Sequence, residues 1–437
     1  MKNKILLLLI LLFSLSFRAQ EILLITKEEV RTRVMENNNT ILMSKKDILM
    51  AKGDFDQTNA VILPNIGISH TGSATTNPLM AFGSKLNQGI LTQEDFNPDL
   101  LNNPSQIEDY ATRIEVQQPI LNLDGLYQRK AAKDKLNATE LQSVRTQEFI
   151  DLEVDKAYMQ LQLAYKTVEV LEKVKESALE NKRIAENNFS QGYLQKSDVL
   201  AVEVRLTEIE NQLQYAKSNI RNASNYLSVL MDDSNYPVLQ PTDSLTIAAP
   251  VISPNDVPEN RADIKAMELK SKAYHQIYQA DRLSFLPRLN AFGTYELHDD
   301  EIFQGDTDGY LFGAELKWNL FEGSKRFGKA KKSKAEYEKS RLKLHQYKAE
   351  NQVELNRAKR MLEDAKNNLL LAKLAMEQSQ ESLRIRTNRF EQGLEKTTDL
   401  LFAETQYAQK QLEYYTMIFN HNYALAYVQF LSKGQIK

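Results

Sequence analysis

Asp198 and Asp399 occupy matching places in a motif that occurs twice, 201 residues apart and without a gap. The first copy reads Phe189-Ser-Gln191-Gly192-Tyr193-Leu194-Gln-Lys-Ser197-Asp198-Val-Leu200-Ala-Val-Glu203, the second Phe390-Glu-Gln392-Gly393-Leu394-Glu395-Lys-Thr-Thr398-Asp399-Leu-Leu401-Phe402-Ala-Glu404. A hydroxyl or carboxylate at the head of a helix caps free backbone N–H groups, and a glycine just upstream lets the preceding helix end. This is turn chemistry, not bond-making chemistry. His298-Asp299-Asp300-Glu301 sets metal-ligand types side by side, but it reads as a solvated loop, and the five His lack ligand spacing. With no Ser-His-Asp, metal or phosphate-loop constellation, neither catalysis nor a cofactor is expected.

Long helices must hold these turns. Val154, Leu161, Val168, Lys175, Lys182 and Phe189 recur every seven residues, and Leu355, Leu362, Leu369, Met376, Leu383 and Phe390 repeat the series in the second half. A companion seam of small residues begins Ala157, Ala164 and Ala358, Ala365. Sustained heptads with a small seam mean supercoiled helices in close approach. Helices starting near Asp124 and Ser324 would each run about 60 residues, roughly 90 Å.

Four segments carry a period of two instead: 63–72, 110–121, 286–298 and 310–321. The last is the clearest, with Tyr310, Phe312, Ala314, Leu316 and Trp318 on one face and Glu315, Lys317 and Asn319 on the other. One apolar face with aromatics toward its ends is the pattern of a membrane β-strand, so Tyr310, Phe312 and Trp318 are expected at the membrane interface. Polar loops, 76–108 and 299–309, join the strands. Each half therefore reads as helix, strand, loop, strand and long helical hairpin. The first repeat spans 20–231, with its hairpin at 124–231, and the second 261–437, with its hairpin at 324–432. A Pro- and Asp-rich linker, 232–260, joins them.

The chain opens with Lys2, Lys4 and an apolar run from Ile5 to Leu15, the layout of a secretory signal peptide over 1–19 with cleavage between Ala19 and Gln20. Its removal takes the formal charge from −3 to −6, which argues against nucleic-acid binding. The absence of Cys excludes disulfides and lipidation on an amino-terminal Cys. No later run is long enough for a spanning helix.

Four strands cannot close a barrel, so membrane strands of this kind require several chains to share one. At this point the chain resembles the TolC-like outer-membrane efflux factors. The resemblance rests on the duplicated Gly-x-x-x-x-[Ser/Thr]-Asp-[Val/Leu]-Leu turn. It rests also on the strand-to-helix junctions Pro119-Ile120-Leu121-Asn122-Leu123-Asp124-Gly125 and Asn319-Leu320-Phe321-Glu322-Gly323. It implies a fold that is mainly α with a β membrane part. Duplicated helical hairpins would form a trimeric coiled-coil barrel, and four strands per chain a shared 12-stranded outer-membrane β-barrel. The implied protein is the homotrimeric exit duct of an efflux or type I secretion system, set in outer-membrane lipid with a periplasmic extension. A periplasmic adaptor would link it to an inner-membrane transporter of RND, ABC or MFS type. The resemblance places Asp399 in the pore, with Glu395 where some members carry a closing Arg and Phe402 where a second acidic ring can occur. The tips Gly192, Tyr193, Leu194, Ser197, Asp198, Gly393, Leu394 and Thr398 would meet the adaptor. The rival reading is a soluble periplasmic coiled-coil protein, structural or chaperone-like, with four strands in small hairpins.

Overall fold

The computed structural model describes residues 22–250 and 254–434, so the expected signal peptide and its cleavage site at Ala19 and Gln20 lie outside the described residues. In chain order the elements are β1 (Ile22–Ile25), α1 (Lys27–Asn37), α2 (Asn39–Gln57), β2 (Asn65–Thr75), α3 (Pro78–Asn87), α4 (Pro98–Asn102), β3 (Ile107–Leu121), α5 (Leu123–Ser190), α6 (Lys196–Met231), β4 (Val238–Pro241), α7 (Ala262–Leu283), β5 (Arg288–Asp299), β6 (Thr307–Lys317), α8 (Lys325–Glu391) and α9 (Thr397–Ser432). Helices α5 and α8 run 68 and 67 residues, longer than the heptads alone suggested. The chain clusters into two compact units, each taking pieces from both sequence repeats.

The first unit comprises Met1–Lys46, Leu141–Lys265 and Gln346–Lys437. Its core is the heptad seam itself. Val154, Leu161 and Val168 on α5 pack with Leu213, Ile220 and Leu227 on α6, while Ala157, Ala164 and Ala216 let the backbones approach. Complete burial of side chains such as Leu161 and Leu227 contributes about 2 kcal/mol each. Farther along α5 the heptad positions turn polar and bridge to α6 through ion pairs, Lys175 to Glu210 (2.8 Å) and Lys182 to Glu203 (3.2 Å). Part of the expected linker is regular: β4 pairs in parallel with β1.

A buried polar network anchors the end of α9. Arg261, fully enclosed, donates to both oxygens of Asp263 (2.7 and 2.8 Å), to the Leu431 carbonyl (2.8 Å) and to Asn351. Tyr347 donates to Asp263 at 2.7 Å. Arg145 lies 3.6 Å over the Phe430 ring and donates to the Phe430 carbonyl and Glu148. Burial alone would raise the Asp263 carboxyl, but the bonds from Arg261 and Tyr347 outweigh it and hold the group below its usual range.

The second unit, Asp47–Glu140 and Ala266–His345, holds an antiparallel sheet in the order β2-β3-β5-β6. The register gathers the sequence alternation into two faces. Ile66, Ile68, Ile114, Val116, Tyr295, Tyr310, Phe312 and Leu316 fall on one. Arg113, Glu115, Glu296, Asn290, Glu315 and Lys317 fall on the other, with Arg113 paired to Glu296 directly across the ladder. The apolar face is open, with Ile68, Tyr310 and Phe312 about three-quarters exposed. Strands β2 and β6 are free edges.

Three expectations need correction here. Strand β6 stops at Lys317, so Trp318 lies just past it, exposed and donating to the Phe285 carbonyl at 3.0 Å. Residues 76–108 are not an irregular loop: Asn77 and Asn97 cap α3 and α4, each of which opens with a proline. Finally, His298 and Asp299 belong to β5. Asp299 is buried and closes the hairpin by accepting from the backbone of Glu301 and Asp306 (both 3.0 Å), so the solvated-loop reading fails for those two residues.

The two junctions also differ. Register slips between Pro119 and Leu121, which absorbs extra residues in the first copy, and Arg288 at the head of β5 bonds Asp124 at the head of α5.

Removing the Arg261 side chain by Arg261→Ala leaves the buried Asp263 without its bidentate cation, with only Arg145 at 3.6 Å to offset its charge. Thermal unfolding followed by circular dichroism should show a loss of roughly 3–5 kcal/mol; a change under about 1 kcal/mol would show that the network is replaceable.

Candidate functional site: the paired tip turns

Both long hairpins reverse by the same backbone device. Gly192 and Gly393 adopt φ of +81° and +71°, which disfavours any side chain. In the first turn Tyr193 N–H donates to the Asn188 carbonyl (2.8 Å) and Gly192 N–H to Phe189 (3.0 Å). In the second, Leu394 and Gly393 make the equivalent bonds to Arg389 and Phe390 (2.8 and 2.9 Å). These are Schellman-type closures, which satisfy the carbonyls left free at a helix end.

The returning helices start two residues earlier than the hydroxyls suggested. Gln195 and Lys396 hold the extended cap positions, so Ser197 and Thr398 lie inside the first turn, both exposed. Asp198 serves the cap from within, its carboxylate accepting from the Gln195 N–H at 3.0 Å. Asp399 does something else. It is half-exposed and lies 4.0 Å from Arg386.

Around Asp399 the second turn has diverged as a group. Glu395 accepts from Arg386 (2.7 Å) and Arg389 (2.8 Å) and is largely buried by them. The aligned positions in the first copy are Ala185, Asn188 and Leu194, where no such cluster exists. Arg386 therefore links both acidic residues of the second turn, Glu395 and Asp399. Sequence reading singled out the two carboxylates and missed Arg386 and Arg389. Their signal was the aligned substitution of Ala185 by Arg386, a long cation on an otherwise small seam.

The apolar tip residues divide in two. Tyr193, Leu394 and Phe402 are exposed, whereas Leu194 is half-buried. Phe189 is exposed while its counterpart Phe390 is buried, another sign that the copies no longer do the same work.

Glu404 is the most unusual group near the tips. Its counterpart Glu203 pairs with Lys182 at the surface, but at the second copy Leu383 replaces the lysine. Glu404 is 2% exposed, and neither carboxylate oxygen has a hydrogen bond of good geometry. Burial pushes its pKa up to about 6, against the smaller opposing pull of Arg205 and Asn181. Arg205 itself donates to Glu208 at 3.3 Å and keeps its Nε unpaired. Among the described residues no group of three or more His, Asp and Glu is placed to hold a metal ion.

Residues 254–417 match the sequence profile of the outer membrane efflux protein family. No curated protein matches the chain. Solved structures do. CusC, from work on conformational changes accompanying folding and transmembrane channel formation, superposes with a TM-score of 0.80 at 13% identity, covering 94% of this chain and 92% of its own. The Campylobacter jejuni CmeC outer membrane channel gives 0.79 at 16%, over 93% and 85%. The Vibrio cholerae outer membrane protein VceC gives 0.77 at 16%, over 93% and 96%. The fold is therefore that of the TolC-like outer-membrane efflux channels. The second repeat also carries that family's sequence signature.

The Glu404 carboxyl sets a pH dependence whose sign follows from its shift. Its pKa in the fold, about 6, exceeds the ordinary 4.5, so its penalty is absent below about 4.5 and complete above 6. Glu404→Gln should add at most about 2 kcal/mol of stability at pH 7.5 and nothing at pH 4.5. Melting curves at the two pH values check this, and an equal shift at both would exclude the charge as the cause.

Proposed function

We propose that this chain is the outer-membrane exit duct of a tripartite efflux or type I secretion system, acting as a homotrimer. The observation that carries the reading is the sheet: two free edges, an open apolar face and a charged opposite face. In lipid a free strand edge leaves backbone N–H and C=O groups unpaired at several kcal/mol each. Pairing β2 of one copy with β6 of the next removes every edge, and three copies give twelve strands. The apolar face then meets lipid, with Tyr310, Phe312 and Trp318 toward the interfaces, and Arg113, Glu115, Glu315 and Lys317 line a wet lumen.

In this reading the helical hairpins of three copies form the periplasmic part of the conduit, and their turns meet a periplasmic adaptor. Exposed Tyr193 and Leu394 offer it apolar contact, with Gly192, Leu194, Ser197, Asp198, Gly393 and Thr398 shaping the turn. Asp399, Phe402 and Glu395 belong to the pore. Arg386 restrains two of these residues, so we assign it to the closed arrangement. The adaptor would connect the duct to an inner-membrane RND, ABC or MFS transporter, and passage would be passive. A soluble periplasmic coiled-coil protein is disfavoured because it would leave Ile66, Ile68, Tyr310, Phe312 and Leu316 in water.

Planar-bilayer recordings of the purified trimer test the proposal. Wild type should conduct weakly, Asp399→Ala should lose cation preference, and Arg386→Ala should raise conductance several-fold. A trimer that never conducts sinks the channel reading; a pore indifferent to both substitutions sinks only the gate assignment.

A further inference from the structure

Helix α3 is built inside out. Its buried positions are Ala81 and Ser84, followed by the cap residue Gln88, whereas Leu79 and Leu86 are among its most exposed. Gly83 falls between Leu79 and Leu86 on that outer stripe, by the helical period. A helix on an ordinary protein surface has the reverse polarity.

The inward face is fixed to one end of the sheet. The Gln88 Nε2 donates to the Glu108 carbonyl (2.7 Å) and to Asp109 (3.1 Å), with the Asp299 carbonyl also within reach at 3.4 Å. Thr307 donates to the Asn87 carbonyl at 2.5 Å, and Ser84 reaches Asp109 at 3.5 Å. Asp109 alternates in phase with Arg113 and Glu115, and Thr307 pairs with His298, in phase with Glu296. All these side chains stand on the charged face. Helix α3 therefore folds over the side of the sheet that faces away from lipid.

The remaining contacts hold it there. Lys85, the only charged residue of α3, is paired with Asp95 at 2.6 Å, and Phe82 meets Phe96 edge-on at 5.7 Å. The exposed stripe thus carries no free charge. Lipid cannot be its occupant, since lipid lies on the opposite face of the sheet. Copies brought around one axis could meet through it without like-charge repulsion.

We propose that the outward stripe of α3, formed by Leu79 and Leu86, docks against the same helix of the other protomers and closes the outer mouth of the barrel. The proposal rests on the trimeric channel reading. It supplies a lid at the barrel end, separate from the tip turns.

The chain contains no cysteine, so Leu86→Cys can be labelled specifically with a benzophenone maleimide in outer-membrane vesicles. Illumination should join protomers to one another. A lipid adduct, or no adduct on a trimer that remains intact on an unboiled gel, overturns the lid. A monomer on that gel overturns the channel reading, and the lid falls with it. Leu86→Asp places like charges at the contact and should raise single-channel conductance roughly twofold or more. An unchanged conductance from intact trimer overturns the closing role.

Discussion

An unpaired strand edge cannot face lipid, and this constraint governs the rest of the molecule. The sheet keeps two edges open and turns an apolar face outward, so one chain cannot be complete in a membrane. Water would be no better a solvent for Ile68, Tyr310 and Phe312. In the proposed trimer, closure by further copies answers both problems at once and turns the charged face inward. The proposed ring gives the outward stripe of α3 a partner. A helix with leucines outside and a glutamine inside is a defect on a monomer and an interface in a ring.

Duplication gave the two hairpins one turn, and divergence then separated their duties. Backbone chemistry was retained: glycine at positive φ and the same pair of closing bonds occur in both copies. Side chains changed in sets. Where the first copy has Ala185, Asn188 and Leu194, the second has Arg386, Arg389 and Glu395, and both arginines bond Glu395. Glu404 followed a different course. Its counterpart Glu203 pairs with Lys182, but Leu383 stands at the matching position, and the Glu404 oxygens are buried with no hydrogen bond of good geometry.

What the sequence disclosed follows from how local each signal is. Heptads and alternation repeat many times, so helices, strands and the burial of Leu161, Leu355 and their kin were readable. The Gly turns were readable because one residue type determines the backbone there. Ordering of α3 was hidden, since its contacts run from Gln88 to strand ends as far away as Asp299, and its polarity contradicts the usual surface pattern. The pairing of β1 with β4 joins segments more than two hundred residues apart and left no periodic trace. Arg386 was hidden for a simpler reason: a heptad reading asks for small residues on that seam and gives no meaning to a cation.

The helical unit distributes its polar burial unevenly, and that distribution says where motion is affordable. At the end of α9, Arg261 makes its bonds to Asp263, Asn351 and the Leu431 carbonyl, and Tyr347 completes the carboxylate. Low dielectric strengthens such a network when its groups are satisfied. Toward the start of the same helix the opposite holds. Glu404 has no hydrogen bond of good geometry, Arg205 keeps an unpaired Nε, and the buried Thr397 hydroxyl is unpaired as well. Each such group costs on the order of 1–3 kcal/mol, and any rearrangement that hydrates it returns that energy. Opposing this, Arg386 and Arg389 hold Glu395 across the turn. Near the second turn, unsatisfied buried groups thus lie close in sequence to a satisfied arginine–glutamate cluster, while among the described residues the far end of α9 carries no such unsatisfied group. Local opening free energies are lowest where satisfied contacts are fewest. By that measure the second turn is the less tightly held end of α9, and the Arg261 network the more tightly held one.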